Sequence, residues 1–92
     1  MLGLVADTPA GRLTTYGALA AALGIGPRQA ASVLAHDPGA AEVPWHRVVA
    51  AGGRLSIPHP ARRAEQARRL REEGVDVRDG RVRTFDAFFY AP

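Results

Sequence analysis

Few side chains in this sequence are equipped to make or break bonds. The chain holds three histidines, nine carboxylates and no cysteine. Ser32 and Ser56 lie outside any nucleophile-elbow context, and no Ser/His/Asp arrangement can be assembled around them. One stretch, Val43-Pro44-Trp45-His46-Arg47-Val48, has the look of a reactive site. His46 could act there as a general base, but a base needs a substrate proton or a nucleophile to act upon. Its neighbour is an indole, which is a hydrogen-bond donor and not a nucleophile. Taken alone, His46 therefore reads more readily as a hydrogen-bonded structural histidine. No H-x-x-x-H run or paired His/Asp spacing points to a metal, so neither metal nor cofactor is expected. Without cysteine there is no disulfide framework, no cysteine-ligated zinc and no thiolate.

The elements that must position these residues belong to one small domain, expected to span residues 1–92. Apolar residues make up 47% of the chain and charged ones 23%, which suits a globular fold. All twelve basic residues are arginine, and the net charge is +3. Nucleic acid is a reasonable partner for such a chain, although an Arg-rich composition alone would produce the same balance. Nothing resembles a signal peptide or a membrane span, so a cytoplasmic protein without membrane contact is expected.

Leu2, Leu4 and Val5 predict a short helix that stops before Pro9. Thr14 or Thr15 caps a second helix running to about Leu23, with Leu19, Ala22 and Leu23 as its apolar stripe. Gly24-Ile25-Gly26 ends it, and Pro27 opens a third helix to about Leu34, with Ala30, Val33 and Leu34 inward. The pair reads as a helix-turn-helix, and small residues on the outer face of its second helix would allow close approach to a backbone. His36-Asp37-Pro38-Gly39 predicts a turn, Val43–Val49 an extended segment, and Ala51-Gly52-Gly53 a hairpin. A fourth helix is expected from about Ala61 to Glu73, with Ala64, Ala67 and Leu70 inward. Its outer pairs Glu65–Arg69, Arg68–Glu72 and Arg69–Glu73 read as a solvated face. Val75 to Val82 predicts a hairpin about Asp79-Gly80, and Phe85, Phe88, Phe89 and Tyr90 an aromatic core cluster. The expected fold is a small α/β domain: a winged-helix-like helix-turn-helix core with short β elements and a C-terminal hairpin.

Six pieces stand in one order along nearly the whole chain: Thr14-Thr15-Tyr16-Gly17, Pro27-Arg28-Gln29, Asp37-Pro38, Pro44-Trp45-His46-Arg47-Val48-Val49, Gly53-Arg54-Leu55-Ser56 and Glu73-Gly74. Together they resemble the DNA-binding domain of O6-alkylguanine-DNA alkyltransferases. Those enzymes carry Pro-Cys-His-Arg-Val, and their cysteine accepts the alkyl group. With Trp45 in that slot, the chain is similar to the alkyltransferase-like proteins, which bind such lesions without repairing them directly. Dealkylation needs a sulfur nucleophile made a thiolate by a neighbouring histidine, and this chain has none.

The resemblance implies roles residue by residue. Arg28 would enter the base stack in place of the extruded nucleotide, and Tyr16 would crowd that nucleotide's phosphate. Thr15, Gln29, Ala30, Ala31 and Ser32 would complete a minor-groove contact. Trp45, His46, Arg47, Val48 and Ser56 would join Tyr16 around the lesion, with the Trp45 and Val48 carbonyls accepting from the guanine amine. Arg47 is expected to serve the scaffold more than the contact. Glu73 would back His46, and Asp37 would mark a hinge where the enzymes usually carry Asn. Tyr16 and Arg28 stand slightly closer in sequence than in the family, and the segment Ile57-Pro58-His59-Pro60 lacks its Gly-Gly pair. The implied function is non-enzymatic recognition of O6-alkylguanine in double-stranded DNA by a monomer, flagging the lesion to nucleotide excision repair proteins. A DNA-binding module without lesion selectivity is the alternative, and a residual lyase or glycosylase using His46 and Glu73 a further one.

Overall fold

A computed structural model describes all 92 residues. Five helices are present: α1 Leu2–Ala6, α2 Tyr16–Leu23, α3 Pro27–His36, α4 Pro60–Glu72 and α5 Phe85–Phe88. Four two-residue strands accompany them: β1 Thr14–Thr15, β2 Val48–Val49, β3 Val77–Arg78 and β4 Arg81–Val82. No helix is long and apolar enough to cross a membrane.

The helix-turn-helix forms for local reasons. The Thr15 hydroxyl accepts from the Ala18 amide at 3.0 Å and so caps α2. Gly24 closes it in the left-handed region at φ +70, and the Ile25 amide reaches back to the Ala20 carbonyl at 3.0 Å. Pro27 then sits at the first turn of α3, where a missing N–H costs nothing. α3 continues two residues beyond the expected end at Leu34, to His36, until Asp37 becomes extended. Asp37 Oδ1 accepts from the Gly39 amide at 2.8 Å and starts a 3-10 turn over Pro38–Glu42.

β1 and β2 pair in parallel, Thr14 opposite Val48 and Thr15 opposite Val49, with the helix-turn-helix as part of the crossover between them. Alternation along β2 sends its two valines to opposite sides. Val48 joins Val5, Leu19, Leu34 and Ala40 beneath the helix pair. Val49 joins Leu13, Leu55, Leu70, Val75, Val77 and Val82 beneath α4 and the C-terminal hairpin. The molecule thus has two small cores that meet at one strand.

Several expectations need correction. Segment 43–49 is not extended throughout, because Trp45–Arg47 forms a 3-10 turn before β2. Ala51–Gly53 does not join two paired neighbours; it turns the chain so that Arg54 bridges Arg81 of the hairpin while β2 pairs with β1. Gly53, at φ +90, lies so close to the hairpin that a Cβ there would meet Val82 Cβ at 3.0 Å. On α2 the buried residues are Leu19 and Ala20, while Ala22 is exposed and Leu23 is 40% exposed. On α3 Val33 is only half-buried. On α4 the inward residues are Gln66 and Leu70, with Arg63 and Ala67 half-buried beside them and Ala64 outside. Phe85 and Phe88 pack on a core, but Phe89 and Tyr90 are each 37% exposed. The hairpin turn at Asp79-Gly80 forms where expected, with both residues at positive φ.

Candidate functional site

Glu73 organises the site from behind. As the residue that caps α4, it directs its carboxylate away from the helix and into a set of donors. Arg47 grips it with Nη2 at 2.7 Å from Oε2 and Nε at 3.0 Å from Oε1, and its Nη1 donates to the Thr8 carbonyl at 2.9 Å. The Gly11 amide donates to Oε1 at 3.0 Å, and His46 Nε2 donates to Oε2 at 2.8 Å. Burial alone would raise this carboxyl group. Hydrogen bonds from Arg47, Gly11 and His46, with the charge at His46, outweigh that and lower it to about 2. The expected Arg69–Glu73 pair does not form because those partners occupy the carboxylate; Arg69 pairs with Glu65 at 2.9 Å and Arg68 with Glu72 at 3.0 Å.

A second support acts on the backbone. Gln66 is fully buried, and its Nε2 donates to the Val48 carbonyl at 2.9 Å and the His46 carbonyl at 3.3 Å. The end of the 3-10 turn that carries Trp45 is thereby held, at His46 and at Val48 just beyond it. Gln66 Oε1 and His46 Nδ1 are buried with no partner.

In front of this scaffold lies a cavity of about 570 Å³, within the ~300–1,000 Å³ range of ligand sites. Tyr16 from α2, Arg28, Ala31 and Ser32 from α3, Trp45, and Ser56 from the following loop all line it. Burial raises the Tyr16 hydroxyl above its ordinary value, with the nearby Arg62 charge opposing the rise, so Tyr16 stays a neutral donor. Trp45 belongs to neither core cluster. The Arg62 guanidinium lies 4.3 Å from its ring centroid and that of Arg69 5.3 Å, which covers the indole with cations.

The structure thus brings Tyr16, Arg28, Ala31, Ser32, Trp45 and Ser56 together around one space, although they come from four segments of the chain. It places others elsewhere. His46, Arg47 and Val48 do not line the cavity: His46 and Val48 are buried behind Trp45, and Arg47 is committed to Glu73 and Thr8. The Val48 carbonyl already accepts from Gln66 and the Trp45 carbonyl from the Val48 amide, so a guanine amine would have to use the second lone pair of each. Ala30 is fully buried against the helix pair and offers nothing to a partner. Thr15 is occupied as a cap, Gln29 is exposed at the start of α3, and Asp37 anchors the turn after it.

Sequence reasoning missed Arg62, Gln66, His36 and His59. Arg62, His36 and His59 line the cavity, but each sits in a stretch whose pattern reads as surface. Gln66 was detectable in principle, since it lies four residues before Leu70 on the same helical face.

The domain described as "6-O-methylguanine DNA methyltransferase, DNA binding domain" matches residues 1–75. The chain is 36% identical to alkyltransferase-like protein 1 of Schizosaccharomyces pombe, over 79% of this chain and 70% of that one. It is 42% identical to the DNA base-flipping protein of Escherichia coli, over 80% of this chain and 58% of that one. It is 32% identical to a bifunctional methyltransferase/endonuclease of Thermoplasma volcanium, over 94% of this chain but only 28% of that protein. The fold superposes with a TM-score of 0.85 on S. pombe Atl1 in complex with damaged DNA containing O6-carboxymethylguanine. That match is at 30% identity and covers 99% of this chain and 91% of that one. A second structure of the S. pombe protein with DNA matches at a TM-score of 0.82. The six sequence pieces, the cavity behind α3 and these matches agree, and the chain belongs to the 6-O-methylguanine DNA methyltransferase DNA-binding-domain family, on its alkyltransferase-like branch.

Proposed function

We propose that this protein binds O6-alkylguanine in duplex DNA through the minor groove and rotates the damaged nucleotide into the cavity. It transfers no alkyl group, and it marks the site for nucleotide excision repair. The observation that carries this reading is the position of Trp45, which stands directly before the Glu73-bonded His46 and walls a cavity shared with Arg28, Ala31 and Ser32.

A guanine inside the stack cannot be inspected by any pocket, so it must leave the duplex first. Unstacking costs a few kcal/mol, offset by contacts to the bent duplex and by a side chain that fills the gap. Arg28 suits that task, because its planar guanidinium stacks on bases and it has no acidic partner within the protein. Ala31 and Ser32 present little bulk beside it. Gly26 provides no side-chain cap for α3, which leaves the first amides of the helix available to a phosphate oxygen. Once the base is in the cavity, the indole offers a flat surface for stacking and no electron pair able to take a carbon. A lesion held but not repaired must be handed on, and excision of the surrounding strand is the repair route that needs no chemistry from the reader.

Titration of paired duplexes, with and without O6-methylguanine, tests the reading. Preferential binding of the alkylated duplex, with no mass gain on the protein, supports it. Equal affinity for both duplexes would instead support a DNA-binding module without lesion selectivity. Arg28→Ala is expected to lower affinity for the alkylated duplex tenfold or more, and unchanged affinity would remove nucleotide flipping.

A further inference from the structure

The charge pattern of the cavity reaches beyond lesion binding as such. We infer that the site favours O6-alkyl groups that end in a negative charge, carboxyalkyl groups, and that Arg62 receives their carboxylate. The inference rests on the cavity being the lesion pocket.

None of the thirteen residues that line the cavity is Asp or Glu. Arg28 and Arg62 face it with permanent positive charge, and His36 and His59 are neutral or cationic in any state. The two arginines are not equivalent. Arg28 lies at the start of α3, where the nucleic acid itself takes up its charge. Arg62 belongs to α4 and lies on the face of Trp45, on the wall where a base would stack.

No carboxylate lies within ion-pair distance of Arg62. The acid one turn along, Glu65, borders the outer side of Trp45, but Arg69 holds it at 2.9 Å and Arg68 lies at 3.7 Å. An entering base therefore covers a guanidinium that has no counter-charge. A neutral alkyl group would leave it desolvated and unpaired, which is unfavourable. A carboxylate on the alkyl chain would instead take its fork in two parallel bonds. Tyr16, lining the same space as a neutral hydroxyl, supplies a further donor.

The experiment uses three duplexes of one sequence. They carry O6-carboxymethylguanine, its uncharged isostere O6-carbamoylmethylguanine, or guanine, and each is titrated against the protein and against Arg62→Gln. Their backbones are identical, so phosphate contributions cancel between them. The wild-type protein is expected to prefer the carboxymethyl over the carbamoylmethyl duplex by roughly 3- to 10-fold, as for a partly exposed charge-assisted pair. Arg62→Gln is expected to bring that ratio to about one, while keeping its circular dichroism. Equal wild-type affinity for the two alkylated duplexes overturns the inference and leaves lesion recognition intact. A ratio that survives in Arg62→Gln overturns it as well, as does a uniform loss across all three duplexes. Equal affinity for all three overturns both readings.

Discussion

Trp45 is only 7% exposed, yet what covers it is two guanidinium groups and not the hydrocarbon of either core. Trp45→Ala is expected to cost about 3–5 kcal/mol of stability, as for other buried aromatics, and to weaken binding of alkylated duplexes more than of plain ones; parallel titrations below the melting range set by thermal melts would show a uniform loss of binding if that is wrong. The charge of Glu73 holds together groups from three parts of the chain. Its carboxyl is lowered from 4.5 to about 2, so its stabilisation is fully present above pH ~4.5 and disappears as the pH falls towards ~2. After allowance for its remaining contact with water, that contribution is on the order of 2 kcal/mol. Glu73→Gln should lose about that much at neutral pH, and the gap to wild type should close on acidification; a gap that stays constant in denaturant titrations down to pH 3 would refute the assignment. Legibility at this scale divided by dependence on context. Trp45, Tyr16 and Arg28 were readable because neighbouring residues keep a recognisable register. Arg62 was not, because its role comes from lying across a ring seventeen residues earlier in the chain.

At the scale of elements, α4 does more than provide a charged outer surface. Its inner face reaches the turn bearing Trp45 through Gln66, and its end supplies Glu73. Of the inward stripe expected on this helix, Leu70 is buried and Ala67 half-buried, but Ala64 faces out and Gln66 takes the inner position for a specific reason. Burial of a glutamine is acceptable where its amide donates to two backbone carbonyls, those of His46 and Val48. Gln66→Leu should keep the helix but remove the bonds to both carbonyls, destabilising by about 1–3 kcal/mol. Hydrogen exchange at the Arg47 and Val48 amides should rise selectively, and unchanged protection there would count against this support. The helix-turn-helix was legible almost to the residue, because caps and a proline are local signals. Segment 43–49 was not, since its 3-10 turn depends on contacts from α4. The Ala51–Gly53 turn was misread because a glycine pair marks a reversal without saying which strand lies beyond it. Gly53→Ala tests that close approach: positive φ and the 3.0 Å encounter with Val82 should together cost about 1–3 kcal/mol, measurable by chemical denaturation.

Across the whole molecule, two modest cores meet at β2, and the putting-together of the cavity depends on both. α2 and α3 bring Tyr16 and Arg28 from one side, while α4 and its preceding loop bring Arg62 and Ser56 from the other. Sequence order foretold the parts and the first half of this arrangement. It did not foretell the second half, because nothing in a period of 3.6 says which helix will face which cavity. The net charge of +3 is small for a nucleic-acid binder, so a few arginines must account for the salt dependence. If Arg28 enters the stack and touches no phosphate, Arg28→Ala should lower affinity while changing the slope of log K against log salt by much less than ~0.9; a full unit of change would make it a backbone contact.

The chain contains a single tryptophan, and it stands at the wall of the cavity. Excited at the red edge, where the two tyrosines do not absorb, the protein fluoresces from that one ring. A purine entering beside that ring would change the surroundings of one chromophore, so arrival and departure of the extruded nucleotide can be timed optically, on unlabelled protein, as a single change in emission.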